Sequence, residues 1–141
     1  MTELTDDRQE VIDAALKARD YAMAPFSNFR VGAAVLTENG KIYTGCNVES
    51  ASYGLTVCAE RVAVWKALSE GARNFGLIVI VADTERLTPP CGTCRQIIWE
   101  FCRESTILLM NLRGETETMQ VRDLLPRAFD ARYLKEASAE K

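Results

Sequence analysis

The sequence predicts an α/β domain: a five-stranded mixed sheet with helices packed over it. Three observations carry this. Residues 75–82 (FGLIVIVA) and 106–111 (TILLMN) are nearly continuous apolar runs of strand length, as expected for strands covered on both faces. Residues 30–37 and 41–46 flank Glu38-Asn39-Gly40, a strong hairpin turn. Helical periodicity fills the longer stretches before and between these runs.

Each element follows from its residues. Residues 5–23 put Val11, Ile12, Ala15, Leu16, Ala18 and Ala22 on one apolar face, and Asp6 and Asp7 favour the helix N-terminus. Pro25 disfavours helix at Ala24 and so ends the element. After the hairpin, residues 57–70 read as a helix that stops at Gly71, a suitable C′ residue. The strand at 75–82 leads through a polar loop to Pro89-Pro90, and a helix runs from the following cysteines to about residue 103. Arg113-Gly114 turns the strand at 106–111 into one at 117–121, and so short a connection makes that pair antiparallel. Leu124-Leu125-Pro126 follows, and the charged tail after Tyr133 reads as mobile. No repeat or linker divides the chain, so residues 1–141 read as a single domain.

Composition narrows the function. At 141 residues and 48% hydrophobic, the chain can bury a core without staples. Its formal charge is −3, with Lys and Arg scattered among acids, which favours a small substrate over a polynucleotide. No apolar run approaches membrane-spanning length and no signal peptide opens the chain. The expectation is a cytoplasmic protein with no nucleic-acid or membrane partner. Five cysteines, two of them spaced C-x-x-C, read as an intracellular metal or redox site and not as a disulfide framework.

The chemistry is concentrated in Cys58-Ala59-Glu60 and Pro90-Cys91-Gly92-Thr93-Cys94. Three thiolates, from Cys58, Cys91 and Cys94, can hold a zinc ion (Zn2+) and leave a fourth position open for water. Glu60, two residues past the first thiol, can then move that water's protons. Both clusters fall at expected helix starts, where the helix dipole favours thiolates. A redox C-x-x-C would explain neither Cys58 nor Glu60. A structural zinc site would want a fourth protein ligand, which Cys46 or Cys102 could offer. Arg61 follows directly. Three thiolates on Zn2+ leave a net negative charge, and a guanidinium donating to the sulfurs would offset it. C-x-E…P-C-x-x-C is the zinc deaminase signature.

The chain resembles the small homotetrameric cytidine deaminases of pyrimidine salvage. The matching stretches run from Ala24 to Ala34 (APFSNFRVGAA), Gly45 to Glu49 (GCNVE), Tyr53-Gly54-Leu55, Cys58 to Arg61, Cys91 to Gln96 and Leu124-Leu125-Pro126 before Phe129. Together they span about residue 10 to about 130. The resemblance implies hydrolytic deamination of cytidine and deoxycytidine to uridine and deoxyuridine, with Glu60 carrying protons to N3 and to the departing amine. It implies that Asn47 and Glu49 bond the ribose hydroxyls, that Phe29 packs beside the nucleoside, and that the Ala59 N–H meets the pyrimidine carbonyl. It also implies a homotetramer in which Tyr53 and Phe129 complete a neighbouring subunit's site. By their own position, Asn47 and Glu49 sit just past a strand end, where open sheets bind ligands. Phe29 and Phe129 taken singly would read as core, and Trp65 and Trp99 as helix packing.

Ser50, Pro89 and Thr93 depart from residues common in the family. Pro89 lacks an N–H near the leaving amine, so leaving-group preference transfers least well. The same zinc chemistry would serve a modified or N4-substituted cytosine nucleoside. A non-catalytic zinc module would have no use for Glu60.

Overall fold

The structure, a computed structural model, describes residues 2–139 and the side chains of residues 7–137. Helix α1 (Thr2–Arg19) is followed by strands β1 (Val31–Thr37) and β2 (Ile42–Cys46). Helix α2 (Ala59–Ser69), strand β3 (Phe75–Ala82) and helix α3 (Gly92–Cys102) come next. Strands β4 (Thr106–Met110) and β5 (Thr116–Gln120) and helix α4 (Ala131–Ala139) complete the described chain, with short 3-10 turns at Tyr53–Leu55 and Val121–Asp123. The sheet order is β2-β1-β3-β4-β5. β1 is antiparallel to β2 and β3, β3 is parallel to β4 through the α3 crossover, and β4 is antiparallel to β5. The mixed five-stranded sheet expected from the apolar runs is therefore present.

Strand alternation divides the core between the two faces. Ala34, Val79, Val81 and Leu108 face Val11 and Ala15 of α1. Ala33, Val35, Ile78, Ile80, Ile107 and Leu109 face Ala63, Val64 and Ala67 of α2 and Ile98 of α3. β3 and β4 are thus covered on both sides, which explains why their sequences do not alternate. β5 lies at an edge, largely exposed, and carries Thr116, Glu117, Thr118 and Gln120.

Two glycines let the helices on opposite faces come close. A Cβ on Gly32 of β1 would lie 2.1 Å from the Ala15 carbonyl oxygen of α1. A Cβ on Gly45 of β2 would lie 2.5 Å from both the Ala59 oxygen and the Ala63 nitrogen of α2. The second contact fixes the depth of the α2 first turn, which carries Glu60.

The structure departs from the sequence expectation at both ends. α1 ends at Arg19 and not at residue 23, because the Met23 backbone is taken up elsewhere. The Met23 N–H donates to the Asn47 oxygen at 2.9 Å, and the Glu49 N–H donates to the Met23 oxygen at 2.8 Å. Beyond Asp130, where the sequence reading placed no helix and took the charged tail after Tyr133 as mobile, the chain forms α4. Asp130 is buried and accepts from the Arg132 N–H at 3.0 Å, from Arg103 Nη2 at 3.3 Å and from Trp99 Nε1 at 3.4 Å. The Arg132 guanidinium, foremost among these groups, holds the Asp130 carboxyl well below the ordinary carboxylate range. Arg103, the C-cap of α3, also lies 4.4 Å over the Trp99 ring. Trp65 stays 45% exposed, with the Arg61 guanidinium 5.7 Å from its ring.

The Gly45 contact is testable. Gly45→Ala should lower stability by about 1–3 kcal/mol, the usual effect of overpacking. Gly76→Ala, where an added Cβ meets nothing within 4 Å, should change it little. Urea unfolding midpoints compare the two, and a Gly45→Ala midpoint equal to that of the parent would contradict the close approach.

Candidate active site

The site lies at one edge of the sheet. β2 ends at Cys46 opposite Gly32, β3 ends at Ala82 opposite Val31, and Met110 of β4 sits beside Val81. The carboxyl ends of β2, β3 and β4 therefore meet there, the usual place for ligands in open sheets. From this edge the chain enters α2 and α3. Cys58 is the N-cap of α2 and Cys91 the N-cap of α3, both with extended backbone. Cys94 sits in the first turn of α3, on the same side as Cys91.

The Sγ atoms of Cys58, Cys91 and Cys94 all lie within 4.8 Å of one another, and Cys58 and Cys91 are 3.6 Å apart. Cys94 is buried, Cys58 half-buried and Cys91 exposed, so the cluster opens to one side. Cys46 and Cys102 stand outside it. Cys102 is buried in the core, where desolvation pushes its thiol up to about 12. A fourth protein thiol is therefore not offered, and the donor set fits a zinc ion with an open position.

The thiols and their neighbours share charge. A hydrogen bond from Cys94, helped by Arg61 and Cys91, pulls the Cys58 thiol down to about 5 against the effect of burial. Cys94 is driven up by the bond it gives to Cys58 and by burial. Arg61 Nη2 donates to Cys58 Sγ at 3.7 Å, while its Nε is buried with no partner. The guanidinium thus lies against the Cys58 sulfur. Glu60 is 4% exposed, and burial pushes its carboxyl up to about 7, with the Cys58 charge adding to that push.

A second group lies beside the first. Val48 bridges Met23 on one side and Val57 on the other, so residues 47–49 run as a short extended segment. Period-two alternation turns Val48 away from Asn47 and Glu49. Asn47 is buried; its Oδ1 accepts from the Val31 N–H at 2.9 Å and its Nδ2 donates to the Phe29 oxygen at 2.7 Å. Glu49 Oε1 accepts from the N–H groups of Phe26 (2.9 Å) and Ser27 (3.1 Å), and Oε2 accepts from the Ser27 hydroxyl. That hydroxyl, and then the two N–H groups, hold the Glu49 carboxyl below its ordinary range. A cavity of about 320 Å³ lies here, lined by Phe26, Ser27, Glu49, Tyr53 and Thr56.

The aromatic site candidates lie at the surface. Phe29 is 40% exposed, Tyr53 75% and Phe129 57%, so none of the three is a core side chain. Tyr53 meets the Phe26 ring edge-on at 5.9 Å. Phe129 stacks on Tyr133 at 5.6 Å, and its carbonyl accepts from Gln96 Nε2 at 2.7 Å. Phe129 is not among the residues lining the Glu49 cavity. Ala59, the first residue of α2, is itself fully buried.

Sequence reasoning quoted Phe26 and Ser27 only as part of a matching stretch, and it gave no part to Thr56. The signal was present at Ser27. Its oxygen accepts from the Phe29 N–H two residues on, a short-range serine turn after a proline.

Comparison with known proteins agrees with this geometry. Residues 5–110 match the family model of the cytidine and deoxycytidylate deaminase zinc-binding region. The cytidine deaminase of Halalkalibacterium halodurans is 51% identical, over 89% of this chain and 96% of its own. That of Sporosarcina psychrophila is 47% identical, over 95% and 99% respectively. The crystal structure of cytidine deaminase from Burkholderia pseudomallei has the same fold, with a TM-score of 0.83 and 46% identity, covering 86% of this chain and 98% of that one. With its three thiols, its buried carboxylate and three quarters of its length inside the family pattern, the chain belongs to the zinc-binding cytidine and deoxycytidylate deaminase family.

Proposed function

We propose that the protein catalyses hydrolytic deamination of cytidine and deoxycytidine to uridine and deoxyuridine, releasing ammonia, in pyrimidine salvage. The observation that carries this is a buried carboxylate, Glu60, set beside a three-thiol cluster that is open on one side. Cys58, Cys91 and Cys94 would hold the zinc, which when bound supplies the Lewis acidity that makes water a nucleophile near neutral pH.

The chain's own groups do the rest. Glu60 takes a proton from the attacking water and gives it to N3 of the ring, then takes the second proton from the new hydroxyl at C4 and delivers it to the exocyclic nitrogen as the C4–N bond breaks. One carboxylate serves every transfer because they are sequential. Protonation at N3 makes C4 electrophilic. Arg61 donates to Cys58 and offsets the thiolate charge. The Ala59 N–H, at the open N-terminal turn of α2, is free of an intrahelical acceptor and suits the pyrimidine carbonyl. Asn47 and Glu49 take the ribose, and Phe29 packs beside the base.

The exposed ring of Phe129, which stands outside its own chain's Glu49 cavity, supports a homotetramer in which it reaches a neighbour's pocket, whereas Tyr53 lines the cavity of its own chain. Among the described residues no helix is long and apolar enough to cross a membrane. The formal charge of −3, with basic residues scattered among acids, supports a small-molecule substrate over a polynucleotide. All five strands share one sheet, which supports a single domain.

Ammonia release from cytidine tests the reading. The parent should be active, and Glu60→Gln should keep its zinc yet lose about 10²- to 10⁴-fold in turnover. Activity of that variant within a few-fold of the parent would exclude Glu60 as the proton carrier. Metal analysis should find one zinc per chain, with Cys→Ala at position 58, 91 or 94 lowering both zinc content and stability. A variant that retained full zinc would strike its cysteine from the ligand set. Mixing inactive Glu60→Gln with inactive Phe129→Ala should restore part of the activity if Phe129 acts in trans. A monomer in sedimentation would end the shared-site idea.

A further inference from the structure

Glu49 is an unusual ligand for a sugar, because most of its capacity is already in use. A carboxylate offers about four acceptor positions. Oε1 takes two N–H groups, from Phe26 and Ser27, and Oε2 takes the Ser27 hydroxyl. One position on Oε2 remains, next to that hydroxyl. The same Ser27 oxygen accepts from the Phe29 N–H at 3.0 Å, and Asn47 Nδ2 holds the Phe29 carbonyl from the other side. The Phe29 peptide is therefore pinned at both ends, once by Ser27 and once by Asn47. Asn28, between Ser27 and Phe29, takes φ 57°, a left-handed conformation that asparagine tolerates better than most residues. Phe26, Ser27 and Glu49 line one cavity.

We propose that Ser27 is a positioning residue for the sugar end of the pocket. Its hydroxyl fixes the Glu49 carboxylate so that a single acceptor position faces the ribose hydroxyls, and it sets the Phe29 backbone by the same atom. This rests on the cytidine deaminase reading and deepens it. Without the hydroxyl, Oε1 keeps its two N–H donors but Oε2 loses its own, Phe29 loses the acceptor for its N–H, and the sugar meets a carboxylate held at one oxygen only. The ring chemistry at Glu60 is untouched, because Ser27 has no contact with the thiol cluster among its hydrogen bonds.

The experiment measures KM and kcat for cytidine in the parent, Ser27→Ala and Ser27→Thr. Inhibition by uridine and by 2′,3′-dideoxyuridine, which lacks the 2′- and 3′-hydroxyls and keeps only the 5′-hydroxyl, is measured alongside. In Ser27→Ala, KM for cytidine and the inhibition constant of uridine should rise about tenfold, the scale of a hydrogen bond to a charged group. The kcat value and the inhibition constant of dideoxyuridine should stay within about twofold. Ser27→Thr, which keeps the hydroxyl, should behave as the parent. Equal weakening of uridine and dideoxyuridine, or no weakening of either, overturns the proposal. Loss of zinc or of folded protein in Ser27→Ala also overturns it, by assigning the hydroxyl to the fold. A parent that releases no ammonia from cytidine removes the functional reading itself, a result visible before any variant is compared.

Discussion

Three sulfur atoms from two helices can meet only if both helices start at the same place and the same depth. The sheet supplies the place. Parallel pairing of β3 with β4 obliges the chain to cross over between them, and the α3 crossover starts at the carboxyl end of β3. The antiparallel β1–β2 hairpin brings the end of β2 to that same edge, and α2 follows from there. Gly45 supplies the depth, by letting the α2 first turn rest on β2. With both N-termini so placed, the thiols of Cys58, Cys91 and Cys94 converge, and two helix dipoles favour their ionised forms.

A single extended segment ties the two halves of the site together. Val48 pairs with Val57, and the next residue after Val57 is Cys58. Asn47 and Glu49 are therefore fixed in register with the thiol cluster across one bridge, with Met23 closing the other side. The clamp they form on residues 26–31 runs from side chain to backbone except at Ser27, whose hydroxyl also meets Glu49, so within that loop the side chain at position 27 matters most. The sugar end and the metal end share a scaffold, and Arg61 Nη2, which donates to Cys58, also reaches the carbonyl of Thr56 at the cavity wall at 3.5 Å.

What the sequence made legible follows the range of the forces involved. β3 was read to the residue, because an apolar run of strand length has few alternatives. The thiol cluster was read because C-x-E and C-x-x-C are local spacings that already imply one helix face each. The end of α1 was misread because its decisive contact, Met23 with residues 47 and 49, lies far along the chain. α4 was missed for the same reason: Asp130 is held by Arg103 and Trp99, 27 and 31 residues away. Ser27 was named without a role, since its partner Glu49 is 22 residues on. Propensity sees none of these, and tertiary contact decides them.

The ligand spacing also has a polymer consequence. Cys58 and Cys91 are 33 residues apart, and the whole of α2 and β3 lies between them. An ion held by both sulfurs turns that stretch into a closed ring. A ring in the unfolded chain has fewer shapes than an open strand of the same length, and the difference grows only with the logarithm of its size. Any binding of the ion to the unfolded chain would then act as a tether and bias its random walks toward the crossover between β3 and β4. The same three sulfurs would thus serve catalysis in the finished protein and shorten the search that builds it.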